Sequence, residues 1–543
     1  MRQSTALLLF ESSENHALIN DPANEDWVTL LGELDDGRFD LVARRYYLAL
    51  RHFRKQYSRP PIQGQIPIAA PGKEQAQQQM LAMLKQHNVS RNQTEGEQAT
   101  TVFVETMPQN DKLPEALRDS TKVPPPASVI LDGPGRPPCD ALCLLRAFLA
   151  APLLGVDDSP TSVFRLLHNN SNFAHYCGFL GRNVLKQEGE ATSRRLPCRQ
   201  VCEEFDEVMT RYGLWHLARL QKVRENLASG VVKLETTAVF DTTHLEANSH
   251  CANVVPANTN RDKDDKKNKH RKVPRMRKRC GCGKQKWEHC EHPWFPTDSG
   301  AAVVVKGKTR IYWGHKASVA SFADSEVPFD VRVCQYGAQN DGKTLVPHLE
   351  VLMRELPKSI LPLQYILADD AYRHNKAEVA RFGKEARLIT PVHGRKADAS
   401  LAQNFEGISH FTPAGVPVCE NGHRFQMLGR DIGSERYIWA APYGEAGQSV
   451  CNGCPFASSC LNKGTRRHIR VPRGLQPHID WEHPQHFSRE QARYRKRTGV
   501  ERAIKRLKVD LRGEHLTHRD ALRVQAHLDR KLLTLHLLLS GST

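Results

Sequence analysis

Between residues 233 and 392 the apolar pattern switches between a period of two and a period of 3.6 in a fixed order, and few folds accept that order. VKLETTAVFD reads as a strand that ends at Asp241. AAVVVKGKTRIYWGHKASVASFA and VPFDVRVCQYG alternate and read as antiparallel strands. Asn340 and Asp341 start a helix that runs through Val346 to Glu355, and LPLQYILAD is another strand ending in acid. A helix from about His374 to Arg381 precedes EARLITPV, a fifth strand. The β-β-β-α-β-α-β series fits an α/β domain built on a mixed sheet.

The flanking segments differ in kind. Residues 1–57 end in LVARRYYLALRHFRKQYSR, a basic helix that either touches DNA backbone or presents a solvated face. Residues 58–138 are rich in Pro, Gln, Gly, Ser and Thr and read as linker, with one helix around Gln75 to Gln86. Residues 139–230 show helical periodicity in ALCLLRAFLAAPLLG, SVFRLLHN and Val201 to Leu220, a helical region assigned to DNA binding. Cys139/Cys143 and Cys198/Cys202 have i, i+4 spacing and read as buried thiols before metal ligands. The core itself spans 231–400 with a basic, Cys-containing insert at 249–297; a Cys-rich insertion occupies 401–485 and a last helical region 486–543.

With 543 residues there is chain enough for several domains. Its longest apolar stretches, Ala147 to Val156 and Leu532 to Leu539, fall well short of the ~20 residues that span a bilayer. The apolar run near the start, Ala6 to Phe10, is too short for a secretory leader, so a cytoplasmic location and no membrane contact are expected. Lys and Arg total 77 against 60 acids, a net charge of +17, and nucleic acid is the usual partner of such a balance. Fourteen cysteines without an export signal argue for free or zinc-bound thiols over disulfides.

Asp241 and Asp369 each close a short apolar strand, where α/β sheets gather functional groups. One such Asp alone would be an ordinary strand end or helix cap; two in matching settings form a candidate pair. Glu501 lies in RYRKRTGVERAIKRLKV, where residues 493–509 hold eight Lys or Arg and a single acid. It could be a solvated ion-pair partner, worth roughly 0–1 kcal/mol, or half of a capping box with Thr498. Against both, Tyr494, Arg497, Glu501 and Lys508 fall within an arc of about 60° on one continuous helix, despite Gly499 in its middle.

Asp241 in VFDTTHLEAN, Asp369 in ILADDAY and the Tyr494, Arg497, Glu501, Lys508 spacing resemble the DDE transposases of bacterial insertion sequences, in the group with a Tyr-Arg-Glu-Lys signature. The acid three residues before Tyr372 matches the family pattern and selects Asp369 over Asp370; the family's Gly is Ala371 here. TDSGAA around Asp298 and GHK at Gly314 to Lys316 look like the family's second and third strands. The resemblance covers about 140 to 540. It implies an RNase H-like catalytic fold, double-stranded DNA as substrate, and divalent metal, Mg²⁺ or Mn²⁺, held by Asp241, Asp369 and Glu501. Two ions about 3.5–4 Å apart serve the attacking and leaving oxygens of phosphodiester transfer, and carboxylates suit such cations. It further implies that Arg497 and Lys508 hold phosphates, that Tyr494 packs against the DNA end, and that two copies pair the element ends as a homodimer. A non-catalytic DNA-binding descendant and a nuclease that does not join strands are the alternatives.

Cys451, Cys454 and Cys460 have zinc-knuckle spacing in the first pair and a third thiolate beyond it, with Cys419 as fourth ligand or His423 or His468 in its place. They are either a structural zinc site or free thiols in a loop, in an insertion expected to lack core-forming residues. Cys280, Cys282, Cys290 and His292 form a second, tighter-spaced possibility. Residues 261–286 hold 13 Lys or Arg and three Asp, among them Lys272, Arg275, Arg277 and Lys278. This run is a solvated loop or, given its place after the first catalytic strand, a phosphate-contacting one.

Overall fold

The computed structural model describes residues 39–57, 103, 138–180, 193–249, 254–256, 276–278, 298, 300–306, 310–337, 339–382, 386–391, 402–412, 415–431, 433–434, 436–461, 464–472 and 488–541. The expected helix at Gln75 to Gln86, Lys272, Arg275, and the Cys280, Cys282, Cys290, His292 set lie outside them. Arg277 and Lys278 sit on a three-residue strand, and the structure places their backbone only.

A helical layer comes first: α1 (Asp40–Tyr57), α2 (Ala141–Ala150), α3 (Pro160–Asn169), α4 (Ser171–Tyr176), α5 (Arg199–Arg211) and α6 (Leu214–Ser229). Local chemistry starts these helices. Asp140 accepts from the Leu142 and Cys143 amides at 2.9 and 3.1 Å, Ser159 caps α3 ahead of a Pro at its first position, and Asn170 caps α4. Tyr46, Phe148, Phe173, Phe205 and Trp215 pack at the centre. Of the i, i+4 cysteines, Cys143 and Cys202 are buried, but Cys139 is half-buried and Cys198 is exposed, because Cys198 stands just ahead of α5.

The sheet is built from β1 (Thr237–Glu246), β4 (Ala302–Lys306), β5 (Arg310–Phe322), β6 (Pro328–Val333), β7 (Tyr365–Leu367) and β8 (Arg387–Ile389); a separate pair, β2 (Val254–Pro256) and β3 (Met276–Lys278), stands in the first insert. Strand order is β4-β5-β1-β7-β8, with β6 also on β5. β4 pairs with the first part of β5 and β6 with the second, both antiparallel. β1 is antiparallel to β5 and parallel to β7, which is parallel to β8. This curled mixed sheet flanked by helices is the RNase H-like arrangement.

Period two sorts β1 between the faces. Ala238 and Phe240 join Phe322, Phe329, Ile366 and Leu388 beneath α6 and α7 (Leu345–Glu355). Val239 and Leu245 face the other way, and Asp241 shares their side. Asp241 does not end its strand: β1 continues to Glu246 because it keeps β5 as a partner. Its pairing with β7 stops at Val239, so Asp241 stands where β1 has lost one neighbour.

The last helix, α12 (Ala521–Gly541), joins the two layers. Ala526, Leu533 and Leu537 enter the helical core, and Val524, Leu528 and Leu532 enter the sheet core. Its polar residues are buried in pairs. Arg530 donates to Asp158 at 2.8 Å and to Asp206 at 2.5 Å, while Asp529 lies 2.8 Å from Arg219, which also holds Asp330.

The insertion after β8 forms its own small unit: a β9 (Ile408–Phe411) and β10 (Pro417–Cys419) hairpin, a sheet of β11 (Gln426–Asp431), β12 (Arg436–Ala440) and β13 (His468–Pro472), and a one-turn helix, α9 (Ala457–Cys460). Contrary to the sequence-based expectation it has core-forming residues, with Phe411, Phe425, Tyr437, Trp439, Ile469 and Val471 packed together. Alternation along β12 and β13 buries one face only, which is why the composition reads as polar. No helix among the described residues is long and apolar enough to cross a membrane.

His536 and His518 give the fold a pH signature. His536 donates to the Pro328 carbonyl at 2.9 Å, and burial pulls it down to about 4. His518 falls to about 4 through burial and the Arg530 charge. Each takes a proton near 6.5 when unfolded but resists it when folded, so stability drops as pH falls from about 6.5 toward 4, by up to about 3 kcal/mol per histidine. In thermal melts at successive pH values, His536→Gln should show a shallower loss of Tm on acidification than wild type; parallel curves would contradict this.

Candidate active site

The chain after the insertion returns to the sheet as one helical rod of mixed geometry. α10 (Ser488–Arg495) is followed by a 3₁₀ turn (Lys496–Thr498), α11 (Gly499–Lys505) and a π turn (Arg506–Asp510). It is not the regular α-helix expected from the spacing, and Thr498 makes no capping bond; its hydroxyl donates to the Arg495 carbonyl at 3.2 Å. The 3₁₀ turn tightens the backbone just ahead of Gly499.

Gly499 sets the depth of the rod. A Cβ there would lie 3.2 Å from Glu326 Cγ and 3.3 Å from the Ala323 carbonyl oxygen, tighter than side chains normally tolerate. Without one, Val500 reaches the cluster of Val239, Leu367 and Ile389. Arg502 forks onto Glu326, Lys496 meets Asp324 at 2.5 Å, and Arg493 pairs with Glu490 and lies over the Tyr365 ring at 4.1 Å. Part of the positive charge of residues 493–509 therefore clamps the rod to the β5–β6 turn and to β7.

Seated this way, the rod brings Glu501 and Asp241 to the same guanidinium. Arg497 donates to Glu501 at 3.0 Å and its other terminal nitrogen lies 3.6 Å from Asp241 Oδ2. The pair with Glu501 alone is an ordinary exposed i, i+4 contact; the reach of the same guanidinium to a mid-sheet aspartate is not. Asp369 stands two residues past β7 and caps the 3₁₀ turn Asp370–Asn375, accepting from Ala371 N at 2.9 Å. The expected helix at His374 to Arg381 is that 3₁₀ turn, the single α-turn α8 (Lys376–Val379) and a second 3₁₀ turn. Burial pushes Asp241 up to about 6; the Thr242 amide opposes this, the charges of Asp369 and Asp341 add to it, and Arg497 opposes it. Asp369 is raised by burial and by Asp341 against the pull of its Ala371 bond and Arg497. Half-buried Tyr494 lies beside them, pushed up to about 12 by burial and by the negative charge of the aspartates.

Lys508 points elsewhere. Its ammonium donates to the His244 carbonyl at 2.9 Å and lies 3.3 Å from Glu514, tying the π turn to β1. Two residues that the sequence reading left out of the site adjoin it. Asp341 accepts from the Thr242 hydroxyl at 2.8 Å and from Lys316 at 2.7 Å, and Lys316 also holds the Gln339 carbonyl. Asp341 read as a helix start; its signal was the next-door Asn340, which caps the turn through Gly342 N and leaves Asp341 to face β1. Asp298 is fully buried against His315 at 2.7 Å and takes no part in the site.

Asp241, Asp369 and Glu501, with Asp341 behind them, offer only carboxylate oxygens, the donor set of hard divalent cations, although no three of them bring oxygens within 4.8 Å of one another. The upward push on these two half-buried aspartates, from burial first and neighbouring acids second, is a burden that such a cation would relieve. Among the described residues, Asp158, His518 and His527 form a trio with ligating atoms within 4.8 Å, but Asp158 already holds Arg530 and Lys531, which leaves no place for a metal charge.

Residues 418–535 match the family described as Transposase DDE domain. The chain carries a transposase DDE domain. The matched part holds Glu501, Tyr494, Arg497 and Lys508 together with Cys419, Cys451, Cys454 and Cys460; Asp241 and Asp369 lie before it and reach Glu501 through the fold. No curated protein matches the chain.

Lys316, which precedes the matched residues, holds Asp341 behind the carboxylates at 2.7 Å. Lys316→Met should lower DNA cleavage by about 10–100-fold, the loss expected when an outer partner of a ligand set is removed, while circular dichroism and Tm stay near wild type. Cleavage at the wild-type rate would show that the Lys316–Asp341 pair only supports the fold.

Proposed function

We propose that the protein cuts and joins double-stranded DNA at the ends of a bacterial-type insertion element, working in the cytoplasm and as a homodimer when two ends are paired. The observation that carries this reading is the single guanidinium of Arg497 spanning Asp241 and Glu501, which sets the late glutamate beside a strand aspartate 260 residues earlier in the chain. Asp241, Asp369 and Glu501 would hold Mg²⁺ or Mn²⁺, which when bound activates an attacking oxygen and stabilises a leaving one.

The residues divide the remaining work. Water attacks a phosphodiester at the element end and the 3′-oxygen leaves, taking up a proton to become a 3′-hydroxyl. That hydroxyl then attacks a target phosphodiester, loses its proton, and breaks the target P–O3′ bond, whose oxygen leaves as a protonated 3′-hydroxyl. Arg497, half-buried between carboxylates, is placed to hold a phosphate oxygen bidentately once DNA enters. Tyr494 offers a rigid ring at the mouth of the site for the DNA end. Lys508 acts on β1 through His244 before it acts on phosphate. The basic run at 261–286 supplies backbone contacts without base reading.

Purified protein, a duplex carrying an element end, target DNA and Mg²⁺ test the reading. Wild type should give joined strands. Asp241→Ala, Asp369→Ala and Glu501→Ala should each lose cleavage and joining by at least about 10³-fold, with DNA affinity retained. Hydrolysis without joining by wild type would make it a nuclease, binding without turnover a non-catalytic binder, and a nearly active alanine variant would remove that residue from the site.

A further inference from the structure

Four thiols of the insertion line one cavity. Cys419 comes from the end of β10, Cys451 and Cys454 from the turn after β12, and Cys460 from the end of α9. The space they surround is about 20 Å³, room for one water-sized body. All four are free and half-buried, unlike the fully buried Cys143, Cys177, Cys202 and Cys334 of the main cores. We infer that this cavity is a structural zinc site closed by Cys419, Cys451, Cys454 and Cys460.

Three features beyond the spacing support it. The cysteines come from three separate turns of a unit of about 70 residues, 402–472, whose core is small; units of that size commonly need a staple. The staple here would join the β9–β10 hairpin to the β12–α9 turn. Second, Gly407, at φ +76°, clears space for Cys460: a Cβ there would lie 2.2 Å from its Sγ. The hairpin thus gives up a side chain where a sulfur enters. Third, the turn at Cys451 has a knuckle shape, with Cys454 N donating to the Cys451 carbonyl at 3.3 Å and Cys451 N to Ser449 Oγ at 3.2 Å, which turns both thiols toward one side.

The sulfurs ring the cavity more widely than a finished site. No three of them lie within 4.8 Å of one another, whereas a zinc tetrahedron needs about 3.8 Å between sulfurs. Binding therefore draws α9 and the knuckle inward, and each coordinating thiol gives its proton to solvent. His423 also lines the cavity and is the one imidazole near enough to stand in for a sulfur among the residues there. The site is separate from the carboxylates, so it stands whatever the DNA chemistry proves to be.

The test uses the full chain purified without chelator. Zinc released by a mercurial and measured with a colorimetric chelator should amount to at least one equivalent per chain. The double variant Cys451→Ser/Cys454→Ser should lose one equivalent, whereas the Asp241→Ala variant and the Cys280→Ser/Cys282→Ser variant should keep that equivalent. Zinc content unchanged by the Cys451/Cys454 substitutions overturns the proposal, as does its absence from wild type. Should the double variant fail to fold, cobalt exchanged into wild type gives a second reading: thiolate-to-cobalt absorption that weakens in the single variant Cys419→Ser supports the site, and a spectrum without such absorption overturns it.

Discussion

Glu501 and Asp241 share the guanidinium of Arg497 because the helix that carries the glutamate is seated closely on the sheet, and that depth is set at Gly499. An alanine there would push into Glu326 and the Ala323 carbonyl, lifting the rod from β1 and β5. The acidic β5–β6 turn then anchors it through Asp324 and Glu326 to Lys496 and Arg502. These exposed pairs contribute little one by one. Their value is geometric, since they fix rotation about the rod axis, and rotation decides whether Glu501 faces the aspartates or solvent.

Arg497 occupies a position where charges of opposite sign are needed in turn. With the carboxylates unliganded it offsets Asp241 and Glu501. On the proposed reading, cations at the carboxylates would take over that task and free the guanidinium for DNA. The upward push on Asp241 shows how incomplete the present compensation is: burial and the neighbouring Asp369 and Asp341 outweigh one arginine. A site assembled from mutually repelling acids is unstable locally and must be held by the surrounding fold.

That hold comes from α12, whose charged residues are buried on both sides. Arg530 with Asp158 and Asp206 fastens the helical layer, and Asp529 with Arg219 and Asp330 fastens the sheet. Such pairs rarely beat well-packed apolar residues in free energy, but removing one partner leaves an uncompensated buried charge. They specify which layers meet, and so fix the sheet beneath the carboxylates.

How much of this could be read from the sequence follows from what each signal encodes. The succession of strands and helices was legible because period-two runs mark strands, except that AAVVVKGKTRIYWGHKASVASFA, counted as one strand, is the two strands β4 and β5, which raises five strands to six. The strand end was misjudged at Asp241 because polar Thr242, Thr243 and His244 look like a loop, though β5 continues to pair with them. The pairing of Glu501 with Arg497 was legible through their spacing, whereas the 3₁₀ and π turns that interrupt the helix were not, since they leave no period of their own. Asp341 was hidden for a related reason: a residue after a strand is read for its local role, and its contact with Thr242 and Lys316 spans three separate strands and turns. The insertion's core escaped notice because one buried face on short strands hardly alters composition. That same smallness separates its stability from that of the catalytic sheet: it is attached at β8 and α10, its core shares no residue with the clusters beneath the carboxylates, and whatever closes its cysteine cavity stiffens the insertion without setting the depth of the rod.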